Sequence, residues 1–175
     1  YSFPIPITDQ REPAGLAFFA ELLTRVRSLP GVESATAATM LPLGVGDSWG
    51  KFMTIDGRPE SSLERVPLVR FGLISPEYFR TFGIEVLQGR SFADDDKGNS
   101  QPVAIINETL ARRFFPGEDP VGKTIMMGPP DNLRPPEEQA PERRPFRRTI
   151  VGVVSDVKGN SLTESSSAMV YAPLT

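Results

Sequence analysis

The chain of 175 residues contains no histidine and no cysteine. Without histidine it has no Ser-His-Asp triad, no imidazole acid–base catalyst and no histidine metal ligand. Without cysteine it has no thiol nucleophile, no thiolate zinc site and no disulfide. We therefore expect no catalytic residue, no metal site and no cofactor, and we predict that the protein is not an enzyme.

Long apolar runs are also missing. No stretch of the sequence approaches the roughly 20 apolar residues with which a helix crosses a bilayer. The chain begins at Tyr1 without a methionine and without a signal peptide. We therefore expect a piece of a longer protein, and if that parent is a membrane protein, its spans lie outside these ends.

The overall composition is that of a globular domain, with 39% hydrophobic and 23% charged residues. The length suits one domain or two small subdomains. The net charge is −3 and the basic residues are mostly scattered, so the composition does not favour nucleic acid as a partner.

Hydrophobic periodicity and turn signals predict an α+β fold. An apolar stripe at helical spacing predicts a helix over residues 13–29. Ser75 and Asn107 are predicted to be N-caps of two further helices, the second over residues 108–115, and Gly83 is a predicted C-cap. Strands are predicted over residues 32–40, 51–55, 66–74, 84–87, 103–106, 124–127, 149–154 and 168–172.

One motif suggests nucleotide binding, because residues 117–124 match the P-loop pattern G-x-x-x-x-G-K-[ST]. The matching residues are Gly117, Gly122, Lys123 and Thr124. A P-loop works only between a strand that precedes it and a helix whose N-terminus follows it. The predicted order here is the reverse, and Pro120 lacks an amide N–H. We interpret the match as a structural turn that binds no cofactor, in which one or both glycines have positive φ.

Two further segments are expected to be exposed. Asp94–Asp96 lacks the alternating ligands, the glycine turn and the distant glutamate of a calcium loop, so we expect a solvated turn. Residues 129–145 are rich in Pro, Glu and Arg and are expected to form a mobile excursion between two strands. Neither segment predicts a ligand site, and the sequence leaves any binding residues unknown.

Eight short motifs occur in an order that resembles a known family. They are LPGVESA at residues 29–35, LPL at 41–43, SPEYF at 75–79, LQGRSF at 87–92, PVAIINE at 102–108, FPGEDPVGK at 115–123, IVGVVSDV at 150–157 and VYAPL at 170–174. Together they resemble the MacB-like periplasmic core domain of FtsX-type ABC transporter permeases, of the kind found in the duplicated orphan permeases of acidobacteria. The resemblance spans nearly all of the chain and is specific as an ensemble.

This resemblance implies a domain inserted between the first and second transmembrane helices of a permease. It implies a porter-like α/β subdomain, of which residues 1–88 are the first part, and an inserted, mostly β, sabre-like subdomain over residues 89–175. It supplies no catalytic residues, which agrees with the absence of histidine and cysteine.

The implied role is mechanical. ATP hydrolysis by a cytoplasmic ABC ATPase moves the transmembrane helices, and the periplasmic domains respond, either to export a substrate or to act on a periplasmic partner. The implied partners are the transmembrane helices of the parent permease, the ATPase indirectly, and a second permease copy or a periplasmic adaptor protein. The implied location is the bacterial inner membrane, with this domain facing the periplasm or the cell exterior.

Two other functions stay open on the residues alone. The first is a stand-alone α+β module that binds a ligand or a protein. The second is an enzyme that uses Asp/Glu chemistry, which would require a cavity with converging carboxylates.

Overall fold

The computed structural model describes residues 13–42, 49–58, 62–96, 100–130, 133, 145–157 and 166–174. In this part of the chain the α-helices are α1 (Pro13–Arg27), α2 (Tyr78–Thr81) and α3 (Glu108–Phe114). The strands are β1 (Trp49–Ile55), β2 (Leu68–Ile74), β3 (Val86–Gly89), β4 (Val103–Asn107), β5 (Thr124–Met127), β6 (Phe146–Val154) and β7 (Met169–Pro173). The predicted α+β class is confirmed. Residues 131, 132 and 134–144, most of the predicted excursion, lie outside the described residues.

The seven strands form one sheet in the order β3-β6-β4-β7-β2-β1-β5, and β5 also pairs with β6. All strands except β3 therefore close into a ring. The nine-residue β6 is long enough for this closure, because β5 pairs with its first half and β3 pairs with its second half along the same side. Pairing is parallel between β2 and β7 and between β4 and β6, and antiparallel elsewhere.

Alternate residues of the ring strands face two different cores. The ring core receives buried residues from all the ring strands, and α3 packs against it through Leu110. The outer core lies on the opposite face of β2, β4, β6 and β7, where α2 contributes Tyr78 and Phe79. All residues of β4 are buried, since both faces of this strand are covered.

The segment that returns from α1 differs from the predicted strand over residues 32–40. It makes only an isolated bridge, between Ala38 and Ile74. The Thr39 N–H donates to the Leu73 carbonyl at 2.9 Å, and the Ser75 N–H donates to the Ala37 carbonyl at 2.8 Å. The strand cannot extend further, because β1 occupies the same edge of β2 up to Phe71.

Ser75 was predicted to cap α2, and this prediction is wrong. The hydroxyl of Ser75 instead accepts a hydrogen bond from the Ala37 N–H at 3.1 Å and lies 2.8 Å from the Thr36 hydroxyl oxygen. The helix begins after Glu77, which provides no side-chain cap. The Ser75 hydroxyl therefore contacts the distant residues Thr36 and Ala37 instead of capping the first turn of α2.

Gly83 ends α2 as predicted. Its φ is +64°, in the left-handed region that favours glycine. The Ile84 N–H donates to the Phe79 carbonyl at 2.8 Å, and the Gly83 N–H donates to the Arg80 carbonyl at 3.3 Å. This pair of bonds is a Schellman motif, which satisfies the last carbonyls of the helix.

Strands from both sides of residue 88 share the sheet. β2 pairs with β7, and β3 pairs with β6. The assignment of residues 1–88 and 89–175 to a porter-like and an inserted subdomain stays a prediction, but these hydrogen bonds join the two stretches directly.

Candidate functional site

The turn that carries the P-loop match has the predicted order of elements. α3 ends before it at Phe114 and β5 begins at Thr124, so a helix precedes the motif and a strand follows it. Gly117 and Gly122 have φ values of +73° and +85°. Both glycines are therefore in the left-handed conformation, as predicted, and they shape the connection between helix and strand.

The amides of this turn are already hydrogen-bonded within the protein. The Glu118 N–H donates to the Phe115 carbonyl at 3.1 Å, and the Gly122 N–H donates to the Ile150 carbonyl at 2.7 Å. The Lys123 N–H donates to the Pro120 carbonyl at 3.1 Å. A phosphate cradle needs several free amides that point at one place, whereas two of these amides bond within the turn and the third bonds to β6.

The Lys123 side chain also has a structural partner. Its ammonium group is hydrogen-bonded to the Glu118 carboxylate, and Arg58 Nη2 lies 2.6 Å from the other carboxylate oxygen of Glu118. The hydrogen bond from Lys123 is the main reason why the pKa of Glu118 is lowered. Both cations lie over the ring of buried Phe115, at 5.8 Å for Arg58 and 6.0 Å for Lys123.

Asn107 connects three segments at the end of the ring. It caps α3 as predicted, since its Oδ1 accepts a hydrogen bond from the Leu110 N–H at 3.1 Å. The same oxygen accepts from the Met169 N–H at 2.9 Å. Its Nδ2 donates to Asp156 Oδ1 at 2.6 Å and to the Ser167 carbonyl at 2.9 Å. Asn107 is 2% exposed, and these four bonds use its full donor and acceptor capacity.

Asp156, which the sequence analysis did not single out, completes this network. Its carboxylate accepts hydrogen bonds from the Thr109 N–H at 2.9 Å and from the Thr109 hydroxyl at 2.6 Å. Arg112 Nη2 donates to Asp156 Oδ2 at 3.0 Å. A carboxylate beside the first turn of α3 also suits the positive end of the helix dipole. An acidic residue two positions after a long strand with a buried end was the available signal.

Asp96 differs from the prediction of a solvated turn. Asp94 and Asp95 are exposed, but Asp96 is 8% exposed. Its two carboxylate oxygens accept hydrogen bonds from Arg90 at 2.7 and 2.9 Å, and the Ala93 N–H donates to it at 2.8 Å. The hydrogen bonds from Arg90 hold the pKa of Asp96 below its usual value. The pair closes the loop that follows β3.

Arg148 is a partly buried cation of the ring. Its Nη1 donates to the Val103 carbonyl at 2.9 Å, and its guanidinium lies 5.2 Å from the Phe146 ring centroid. Burial lowers the pKa of Arg148 to about 10. The side chain therefore stays charged at neutral pH and supports the start of β4.

A shallow depression of about 490 Å³ lies between the end of β3 and the turn after α3. Glu118 and Asp119 line it, but Glu118 is held by Lys123 and Arg58, and Asp119 accepts the Val121 N–H at 2.9 Å. Within the described ranges, no group of three or more His, Cys, Asp or Glu residues could hold a metal ion. No helix in the described part of the chain is long and apolar enough to cross a membrane.

The fold matches solved extracytoplasmic domains of ABC transporters. It is similar to the periplasmic region of MacB from Actinobacillus actinomycetemcomitans, with a TM-score of 0.56 and 21% identity over 89% of this chain and 54% of that one. It is also similar to the extracellular domain of the ABC-type transporter YknZ from Gram-positive bacteria, with a TM-score of 0.54 and 18% identity over 88% and 61% of the two chains.

The sequence relatives are of the same kind. The chain is 33% identical over 94 residues to the macrolide export ATP-binding/permease protein MacB of Aggregatibacter actinomycetemcomitans. The matched stretch covers 51% of this chain and 12% of that protein. It is 30% identical over 95 residues to the probable syringafactin export ATP-binding/permease protein SyfD of Pseudomonas syringae pv. tomato, again over 51% and 12%.

The family model of the MacB-like periplasmic core domain matches residues 5–175. The chain belongs to this family. It is homologous to the periplasmic domain of MacB-type ABC transporter permeases, as the sequence motifs predicted. It spans only about 12% of the length of these curated relatives, and its resemblance to the acidobacterial type stays a prediction.

Proposed function

We propose that this domain passes ATP-driven conformational change from the transmembrane helices of a permease to the periplasmic side. The observation that carries the proposal is the closed ring of strands, together with membership of a family of permease domains. A ring packed on the inside and partly covered on the outside transmits a displacement, because close-packed interiors are nearly incompressible.

The polar groups described above support a mechanical role rather than a chemical one. The Asn107–Asp156 network, the Arg90–Asp96 pair and the Glu118–Lys123 contact each connect segments of backbone. Each group therefore has a structural partner. We propose accordingly that the domain is not an enzyme and binds no cofactor of its own.

The partners follow from the same proposal. The immediate partners are the transmembrane helices of the parent permease in the inner membrane, and a cytoplasmic ABC ATPase acts on the domain through them. On the periplasmic side, the domain meets a second permease copy or an adaptor protein. The relatives named above are an export protein for macrolides and a probable one for syringafactin, and we propose export as the parent's activity.

The proposal is tested by replacing residues 13–174 with a flexible linker in the intact permease and measuring ATP hydrolysis and export in reconstituted vesicles. We expect ATP hydrolysis to continue and export to be lost, because the moving part is gone. A Lys123→Ala variant is the control and should retain both activities. Export that survives the deletion would contradict the proposal.

A further inference from the structure

α1 stands apart from the ring. Among the described elements, none packs extensively against this helix, whereas α3 contacts three strands. Phe18, Leu22 and Leu29, along and just beyond α1, are exposed by 59%, 41% and 56%. Among the described residues, neither the ring core nor the outer core includes a side chain of α1.

The end of the returning segment, in contrast, belongs to the ring. The backbone of Thr39 is hydrogen-bonded to Leu73 of β2, and the backbone of Ala37 is hydrogen-bonded to Ser75, the residue that follows β2. Met40 is 4% exposed, and its Sδ lies 1.9 Å from where a Cβ on Gly72 would be. A side chain at Gly72 would displace the Met40 side chain from its present position, and the backbone hydrogen bonds of Ala37 and Thr39 hold this segment against β2.

Residues 28–36 form the short connection between α1 and residues 37–40. Its backbone bonds are local: the Leu29 N–H donates to the Val26 carbonyl and the Val32 N–H donates to the Leu29 carbonyl, both at 3.2 Å. Gly31 has a φ of +82°, and an added Cβ there would meet nothing within 4 Å. One glycine in open space, next to a proline, is a suitable hinge.

One side chain bridges the hinge. Nε and Nη2 of Arg27, the last residue of α1, both donate to the Ala35 carbonyl, at 3.2 and 2.9 Å. These bonds are exposed to solvent, so they can break and form again at little cost. They hold α1 at its present angle to the segment that is locked onto the ring.

We propose that α1 pivots against the ring about Pro30 and Gly31, and that the two hydrogen bonds from Arg27 to the Ala35 carbonyl are the latch of this hinge. The ring, β3, α2 and residues 37–40 move as one rigid body, because α2 packs into the outer core and opening the ring would break strand pairing on at least one side. This inference rests on the proposed function, since it names the parts whose relative movement the domain would transmit.

The experiment measures distances between spin labels in the intact permease, with cysteines outside these residues replaced. The 175 residues themselves contain none. One label pair, Ala17→Cys with Arg147→Cys, spans the hinge, and a second pair, Arg80→Cys with Arg147→Cys, lies within the rigid body. Each pair is combined with Arg27→Ala, which removes the latch, or with Arg25→Ala, which removes another exposed arginine of α1.

Without nucleotide, we expect a single narrow distance across the hinge when Arg27 is present and a broad distribution of distances in Arg27→Ala. Arg25→Ala should leave that distance unchanged, and neither variant should change the distance within the rigid body. The inference is overturned if both variants give the same narrow distance across the hinge, or if the distance within the rigid body also broadens.

ATP with vanadate is then added to the permease that retains Arg27. A shift across the hinge with a constant distance within the rigid body supports both the inference and the proposed function. If Arg27→Ala broadens the hinge distance but nucleotide shifts neither pair, the hinge stands and the proposed transmission through it is refuted.

Discussion

At the scale of single residues, two glycines allow β3 and β6 to approach each other. A Cβ on Gly89 would lie 2.2 Å from the Val151 carbonyl oxygen, and a Cβ on Gly152 would lie 2.3 Å from the Arg90 carbonyl oxygen. Gly89 also has a φ of +69°, whereas Gly152 does not have a positive φ. Gly89 therefore carries both a steric and a conformational requirement.

Alanine substitutions should separate these two requirements. Gly117→Ala adds only strain, since its φ is +73° and nothing lies within 4 Å of the new Cβ, and we expect a loss of about 1–2 kcal/mol. Gly152→Ala adds only the clash, with a similar loss of about 1–3 kcal/mol. Gly89→Ala should lose more than either. Urea unfolding measures the three values, and a Gly89→Ala loss no larger than that of Gly117→Ala would contradict the close approach.

Asn107 should be the polar residue whose loss costs most. Asn107→Ala leaves several buried groups without partners, and we expect a loss of about 3 kcal/mol in the free energy of unfolding. Asn107→Asp keeps both accepted bonds but brings a second carboxylate against Asp156. Adding Asp156→Asn restores a donor between the two side chains. The double variant should therefore be more stable than Asn107→Asp, and equal stability would count against the network.

The Arg90–Asp96 pair should make stability depend on pH. Because the folded pKa of Asp96 is depressed, its contribution is present above the unfolded pKa of about 4 and is lost as the pH falls through the folded value. The difference in unfolding free energy between the wild type and Asp96→Asn should therefore shrink as the pH falls from 7 toward 3. A difference that stays constant over this range would show that the carboxylate charge does not matter.

At the scale of elements, the turn between α3 and β5 shows why a motif needs its context. The segment matches a P-loop in residue type, but its amides bond to Phe115, Pro120 and Ile150, and its lysine bonds to Glu118. The reversed order of helix and strand, which the sequence predicted, leaves no helix N-terminus to receive a phosphate.

We therefore predict that the domain does not bind ATP. Titration calorimetry with ATP and magnesium should give no saturable heat for the wild type or for Lys123→Ala. Binding that is saturable in the wild type and absent from Lys123→Ala would refute the prediction. Lys123→Ala should instead lower stability slightly, because the exposed contact with Glu118 is lost.

At the scale of the whole molecule, the ring of paired strands is a frame that does not depend on every connection between its strands. Residues 129–145 connect β5 to β6, which are already paired with each other, so closure of the ring does not depend on this connection. Its prolines, glutamates and arginines offer little apolar surface to offset an ordering cost of roughly 1–2 kcal/mol per residue.

Trypsin should therefore cleave first in this connection, at Arg134, Arg143 or Arg144. The cleaved domain should keep its far-ultraviolet circular dichroism, since the two strands on either side remain paired. Early cleavage elsewhere, with this connection intact in the free domain, would show that it is packed against the frame.

The sequence by itself determined the features that depend on near neighbours. The helix α1, the buried run of β4, the cap at Asn107 and the positive φ of Gly117 and Gly122 follow from residues a few positions apart. The family could also be recognised from the sequence, because its motifs lie in a fixed order along the chain.

Only the tertiary structure decided which distant segments meet. Ser75 does not cap α2, because its hydroxyl is in contact with Thr36 and Ala37. The returning segment forms no longer strand, because β1 pairs with the same edge of β2. The pairing of β5 with β6, which closes the ring, is likewise decided by tertiary structure. Hydrophobic period shows which residues of a strand are buried, but backbone hydrogen bonds are the same for every residue type, so partner strands are selected only when the whole core is packed.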